Sequence, residues 1–168
     1  SVGSGQFVYQ EVRQWAQFPE GWKTEDAPAV AVDSHDRVHV LIRNKNGLLV
    51  FDREGQYLRS WGEDLFERPH GLFIAPDDSV YVVDDQGHSV FRFTPDGEQM
   101  MLIETKTKPA DTGYVRGQNP VERAGPPFNE PTGCALAADG DLYVSDGYGN
   151  ARVHKFAPDG ELRLSWGE

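Results

Sequence analysis

An all-β chain built from repeated four-stranded units is predicted by three observations. The first is self-similarity: Ala27-Pro28-Ala29-Val30, Pro69-His70-Gly71-Leu72 and Pro131-Thr132-Gly133-Cys134 each open a stretch that continues in the same register. The second is alternation. Each copy runs into a period-2 segment ending Val38-His39-Val40, Val80-Tyr81-Val82 or Leu142-Tyr143-Val144, the pattern of a strand with two unlike faces. The third is turn chemistry. A further strand closes on Phe51, Phe93 or Phe156 and meets Arg53-Glu54-Gly55, Pro95-Asp96-Gly97 or Pro158-Asp159-Gly160, whose glycine accepts the positive φ of a tight turn.

The repeat length points to the architecture. Gly55 to Gly97 spans 42 positions, whereas Pro69 to Pro131 spans 62, so 20 extra residues separate the second copy from the third. A period in the low forties with four short strands per copy is the signature of a β-propeller blade. Residues 1–6, rich in Ser and Gly, read as a flexible leader. Residues 7–19 read as an extra N-terminal outer strand, because Val12-Arg13-Gln14-Trp15 echoes Leu58-Arg59-Ser60-Trp61. Blades then occupy 23–63, 64–105 and 128–168, with an insertion over 106–127. Copies one and three end alike, on Ser60-Trp61-Gly62-Glu63 and Ser165-Trp166-Gly167-Glu168. Propellers typically have about 4 to 8 blades. The chain is therefore expected to be half of a six-bladed ring, either cut from a longer protein or completing itself as a homodimer.

Composition narrows the function classes. A chain of 168 residues with 38% hydrophobic and 26% charged residues has a globular profile. Its net charge of −11, with no basic run, argues against nucleic acid as a partner, since phosphate binding needs a concentrated basic surface. No apolar stretch approaches the roughly 20 residues of a membrane-spanning helix. Cys134 is the only cysteine, so no intramolecular disulfide forms, and it reads as a small core residue. The compartment, cytoplasmic or exported, stays open.

Positions that recur are those a blade needs in order to fold, so functional residues are sought among the departures. His70 fills a slot held by Pro28 in the first copy and Thr132 in the third, at the start of an innermost strand, where a metal ligand or general base would face the channel. A hydrogen-bonded histidine at a strand entrance is the plainer alternative. Arg43 follows the first copy's alternating strand where the others have Asp85 and Gly147, and Tyr148 takes the slot of Asn44 and Gln86. His, Arg and Tyr on one rim suit an anionic or carbonyl-bearing ligand, a peptide or small molecule at the channel mouth. Against this, Arg43 would only pair with a surface carboxylate and Tyr148 would only pack. His35, His39, His88 and His154 lack metal-ligand spacing. Asp84 and Asp146 recur as turn braces, while Asp85 is a weak cation candidate. The insertion reads first as a solvated loop, with Tyr114 and Arg116 the residues able to reach a ligand.

The blade text Asp-Gly, Leu-Tyr-Val, Ser-Asp, Arg-Val, Phe, Asp-Gly and Trp-Gly resembles NHL repeats from about Ala27 to Glu168. Within that group, Phe66-Glu67-Arg68-Pro69-His70-Gly71-Leu72, Phe128-Asn129-Glu130-Pro131-Thr132 and Ser145-Asp146-Gly147-Tyr148-Gly149-Asn150 resemble the peptidyl-α-hydroxyglycine α-amidating lyases. That resemblance implies a six-bladed ring with a catalytic zinc on three histidines and a structural calcium. It implies cleavage of the N–Cα bond of a C-terminal hydroxyglycine, giving a peptide amide and glyoxylate. By motif position His70 is then a zinc ligand, Arg43 the guanidinium near the reacting centre and Tyr148 the base. The main-chain carbonyls of Val30 and Leu72 match calcium ligands. Two departures stand out: the family's other zinc histidines belong to later blades, and the cysteines that bridge the third-blade loops in the animal enzymes are Asn129 and Gly149 here. The competing reading is a non-catalytic NHL scaffold that binds a peptide, protein or carbohydrate across its loop face.

Overall fold

The computed structural model of the chain describes all residues except 23–25, 44–46, 106 and 168. The expected blade start at 23, the Asn44 slot, the insertion's first residue Lys106 and the terminal Glu168 lie outside the described residues. Three four-stranded antiparallel sheets follow one another. The first is β3 (Ala29–Val32), β4 (Val38–Leu41), β5 (Leu48–Phe51) and β6 (Tyr57–Trp61). The second is β7 (Pro69–Ile74), β8 (Val80–Asp84), β9 (Ser89–Phe93) and β10 (Gln99–Glu104). The third is β11 (Gly133–Leu136), β12 (Leu142–Asp146), β13 (Arg152–Phe156) and β14 (Leu162–Trp166). Each sheet is a meander in chain order, the blade the repeat predicts, and the chain is a partial β-propeller.

Blades stack face to face through the residues that alternation marked as apolar. Val80, Val82, Phe91 and Phe93 of the second blade bury against Leu41, Leu48 and Trp61 of the first. The opposite face of that blade, Tyr81, Val83 and Val90, buries against Leu142, Val144 and Phe156 of the third. Cys134 packs on this second cluster, and burial pushes its thiol up to about 12, which suits an inert core residue. The inner strands β3, β7 and β11 lie side by side, so their first residues share one rim.

The N-terminal stretch departs from expectation. Instead of a leader and one outer strand over 7–19, β1 (Val2–Ser4) pairs antiparallel with β2 (Phe7–Tyr9) as a separate hairpin. The physical reason is the lack of a sheet to join: among the described residues no inner strands of a fourth blade are present for this text to complete. The downstream part docks instead on the first blade. Trp15 and Trp22 cover Ile42, Leu49 and Phe51, and the Trp15 Nε1–H donates to the Arg53 carbonyl at 3.1 Å. A single parallel bridge links Gln17 to Gln56.

Candidate functional site

The rim between the second and third blades holds an imidazole–phenol pair. His70 enters on β7 and Tyr148 stands on the loop after β12, 78 residues away, yet His70 Nε2 lies 2.9 Å from the Tyr148 hydroxyl. His70 Nδ1 lies 2.8 Å from the Thr132 carbonyl. A carbonyl oxygen can only accept, so Nδ1 carries the proton and Nε2 offers its lone pair to the phenol O–H. The rings meet edge to face at 5.1 Å.

A glycine makes this meeting possible. A Cβ at Gly71 would sit 2.7 Å from the Thr132 carbonyl oxygen and 3.0 Å from Gly133 Cα, so only a residue without a side chain lets β7 approach the third blade this closely. The same close approach brings His70 within reach of Thr132.

Arg43 sits on the neighbouring junction. Its Nε–H donates to the Pro69 carbonyl at 3.1 Å, one residue before His70, and its Nη1 pairs with Asp26 at 2.5 Å. The structure thus ties Arg43 to the strand that carries His70. The pairing with a surface carboxylate, weighed above, is present. A cavity of about 340 Å³ opens here, lined by Arg43, Phe66, Glu67, Arg68, Pro69 and Gln86.

Two further arginines join the rim. Arg68 forms a two-pronged ion pair with Asp85, a fully buried carboxylate, and that hydrogen bonding holds the guanidinium above its ordinary pKa. Asp85 is therefore a partner of Arg68. Arg116, from the insertion, lies 5.0 Å over the Tyr148 ring and pairs with Glu130. Arg68 stands where the other two copies have Asp26 and Glu130, so the contrast that singles out His70 singles it out too, while its partner is an aspartate 17 residues on.

The insertion is sewn to the third blade and is no free loop. Thr112, 1% exposed, donates its hydroxyl to the Gly149 carbonyl at 2.6 Å, and Asn129 donates to the Ala110 carbonyl at 2.9 Å. Asn150, fully buried, donates to the Gly125 carbonyl at 2.6 Å and to Asp146 at 2.8 Å. Asn129 and Gly149 are in direct contact: the Gly149 N–H donates to the Asn129 carbonyl at 3.0 Å, and a Cβ at Gly149 would meet the Asn129 amide oxygen at 2.4 Å. Asp84 and Asp146 do brace turns, Asp84 accepting the N–H groups of Glu67, Arg68 and Gly87, and Asp146 that of Asn129. His39 and His154 are buried on Asp33 and Asp146, far from solvent and structural.

A zinc site does not fit these residues by themselves. Such a site takes three or four protein ligands, and among the described residues no group of three His, Cys, Asp or Glu is placed to hold a metal. Val30 and Leu72 occupy equivalent places on adjacent inner strands, opposite Val40 and Val82. No helix among the described residues is long and apolar enough to cross a membrane.

Comparison with known proteins places the chain. The NHL repeat family model matches residues 128–156. Peptidyl-alpha-hydroxyglycine alpha-amidating lyase 1 of Drosophila melanogaster is 34% identical over 130 residues, which are 76% of this chain and 22% of that protein. A probable lyase of the same name from Caenorhabditis elegans is 31% identical over 122 residues, 73% of this chain and 31% of that one. The peptidylglycine alpha-amidating monooxygenase of Rattus norvegicus is 33% identical over 126 residues, 72% of this chain and 12% of that one. The chain thus spans less than a third of the length of these relatives. Among solved structures, a streptogramin B lyase superposes over 88% of this chain and 42% of its own with a TM-score of 0.64 at 11% identity. The virginiamycin B lyase of Staphylococcus aureus covers 83% of this chain and 40% of its own, with a TM-score of 0.56 at 16% identity. Those two likenesses carry the propeller fold alone. The chain is a propeller segment that matches the NHL repeat over residues 128–156 and is related in sequence, over about three quarters of its length, to the peptidyl-α-hydroxyglycine α-amidating lyases.

Proposed function

We propose that the rim is the phenol-bearing part of an amidating-lyase-type site, which takes a hydroxylated glycine at a peptide C-terminus. The observation that carries this reading is the Tyr148–His70 pair, with the imidazole proton fixed on Nδ1 by Thr132. That tautomer leaves Nε2 able to take the phenol proton. The Tyr148 oxygen can then accept the substrate hydroxyl proton. As the Cα–OH becomes a carbonyl, the N–Cα bond breaks, its electron pair leaves with nitrogen, and nitrogen takes a proton back from the pair. The products are an amide and glyoxylate, with no net proton change in the protein. Arg43, anchored through Pro69 and Asp26, supplies fixed positive charge beside the reacting groups.

On this reading zinc, when bound, supplies Lewis-acid chemistry at the hydroxyl. A zinc held at this rim would take His70 Nε2 as a donor in place of the phenol proton, so the proton relay belongs to the metal-free rim; further zinc ligands, and a calcium at the Val30 and Leu72 carbonyls, would need groups beyond those the described residues bring together. A homodimer that closes a six-bladed ring is the companion proposal. It would set two rims of this kind around one channel.

Calorimetric titration with α-hydroxyhippurate, a small hydroxyglycine compound, tests the reading. Saturable binding is expected, weakened about tenfold or more, equivalent to about 1.4 kcal/mol, in Tyr148→Phe and His70→Ala. Binding indifferent to both substitutions would overturn it. The scaffold alternative is set apart by glyoxylate release, which a non-catalytic binder never gives.

A further inference from the structure

The three guanidinium groups of the rim are not equally engaged. Arg68 spends its fork on buried Asp85, and 24% of its side chain is exposed. Arg43 uses Nε on the Pro69 carbonyl and Nη1 on Asp26, with 25% exposed. Arg116 has 43% of its side chain exposed, and only Nη2 has a hydrogen-bond partner, Glu130, among the described residues. It is also the one that rides directly over the Tyr148 ring, 5.0 Å from its centre.

The backbone that carries Arg116 is held for this task. Val115 bridges Asn119 across a turn, the Glu122 N–H donates to the Thr112 carbonyl at 2.9 Å, and Thr112 is itself locked to Gly149, the residue after Tyr148. Arg116 and Tyr148 are therefore fixed to one another through a buried threonine. Glu130 is also fixed, with its N–H donating to His88 Nδ1 at 3.0 Å and a positive φ of 61°.

We propose that Arg116 is the specificity residue of the rim: its unengaged edge receives the carboxylate of an anionic α-hydroxy ligand, and Glu130 occupies the guanidinium until that ligand arrives. Arginine suits the role because its planar fork matches a carboxylate in two parallel hydrogen bonds. The residue comes from the insertion and not from the blade repeat, so the carboxylate subsite is an addition to the propeller rather than part of its framework. The inference rests on the reading of the rim as an α-hydroxy acid site and adds to it the group that reads the charge.

The test uses the 168-residue chain with glycolate as probe and glycolamide, its uncharged analogue, followed by NMR titration of the Arg116 Nε–H and Tyr148 ring signals. Arg116→Gln is expected to weaken glycolate binding about tenfold, or about 1.4 kcal/mol, with glycolamide unchanged. Arg116→Lys should recover part of the loss. Glu130→Gln should tighten glycolate severalfold, because it frees the guanidinium. A purely structural Arg116–Glu130 pair would instead make Glu130→Gln weaken binding, and that result overturns the proposal. So does glycolate affinity in Arg116→Gln within twofold of wild type. If glycolate follows Arg116 while α-hydroxyhippurate ignores Tyr148 and His70, the carboxylate subsite stands and the lyase-type reading falls. If glyoxylate is released with no dependence on Arg116, the reading stands and the subsite falls.

Discussion

At the scale of single residues, the imidazole tautomer depends on one backbone approach. Gly71→Ala puts a methyl carbon 2.7 Å from the Thr132 oxygen, too close for either strand to stay in place. It is expected to part His70 from Thr132 and Tyr148, read as a changed His70 ring ¹⁵N pattern in NMR, with unfolding free energy lowered by about 1–3 kcal/mol. A ring pattern unchanged from wild type would show that the approach is not needed. His39 offers a second test. Burial lowers its pKa despite the hydrogen bond to Asp33, so the folded protein keeps it neutral while the unfolded chain protonates it near about 6.5. The unfolded state then binds more protons, and stability that is full above about 6.5 declines as pH falls below it. For Asp33, burial raises the pKa, but hydrogen bonds from His39 and Arg37 outweigh it and hold the carboxyl at about 2. Its contribution is present above about 3.9 and is lost only as pH falls toward about 2. Urea midpoints measured at pH 7 and pH 5 should differ in wild type and converge in His39→Gln.

The blades as elements were legible in the sequence because each rests on a local signal. Alternation marked β4, β8 and β12, and the Gly of each Asp-Gly or Glu-Gly turn marked the bend before the outer strand. His70 and Tyr148 were legible for the opposite reason: each departs from a repeated slot. Arg68 departs from a repeated slot in the same way, an arginine where the other copies have Asp26 and Glu130, but its partner Asp85 is set by tertiary geometry that no spacing rule contains. Most of the insertion is exposed, as a solvated loop is, but its ties to the third blade through Thr112, Asn129 and Asn150 were not legible, because these residues follow no period and their partners lie in other segments. This element gives its own prediction. Asn150→Ala leaves the Gly125 carbonyl and Asp146 without a donor and should cost about 2 kcal/mol in urea unfolding. A cost near zero would mean the insertion is not held by that side chain.

For the whole molecule, the two open faces of the blade stack differ in how they are covered. On the first blade, Trp15 and Trp22 shield the outer strands, yet Val30 and Val32 on β3 remain 63% and 56% exposed. On the third, Leu164 is 55% exposed and Trp166 41%. Inner-strand valines left open are what a further blade or a second copy would bury. Light scattering is expected to give a mass of twice 18.8 kDa at high concentration, and Val32→Lys is expected to return the mass to one chain. A single-chain mass at every concentration would contradict ring closure by a second copy. The N-terminal hairpin was not legible, because half of it lies in the Ser- and Gly-rich residues 1–6, which carry no strand signal, and the outer-strand echo at Val12-Arg13-Gln14-Trp15 lies outside it.

The central claim is that His70 and Tyr148 act together on a hydroxyglycine ligand. The most direct measurement is an NMR titration of ¹⁵N-histidine-labelled chain with α-hydroxyhippurate, in wild type and in Tyr148→Phe. The His70 Nε2 signal should move saturably in wild type with Nδ1 still protonated on Thr132, and the response should be lost in the variant. A His70 signal that stays still while ligand is added, or that moves equally without the phenol, would contradict it.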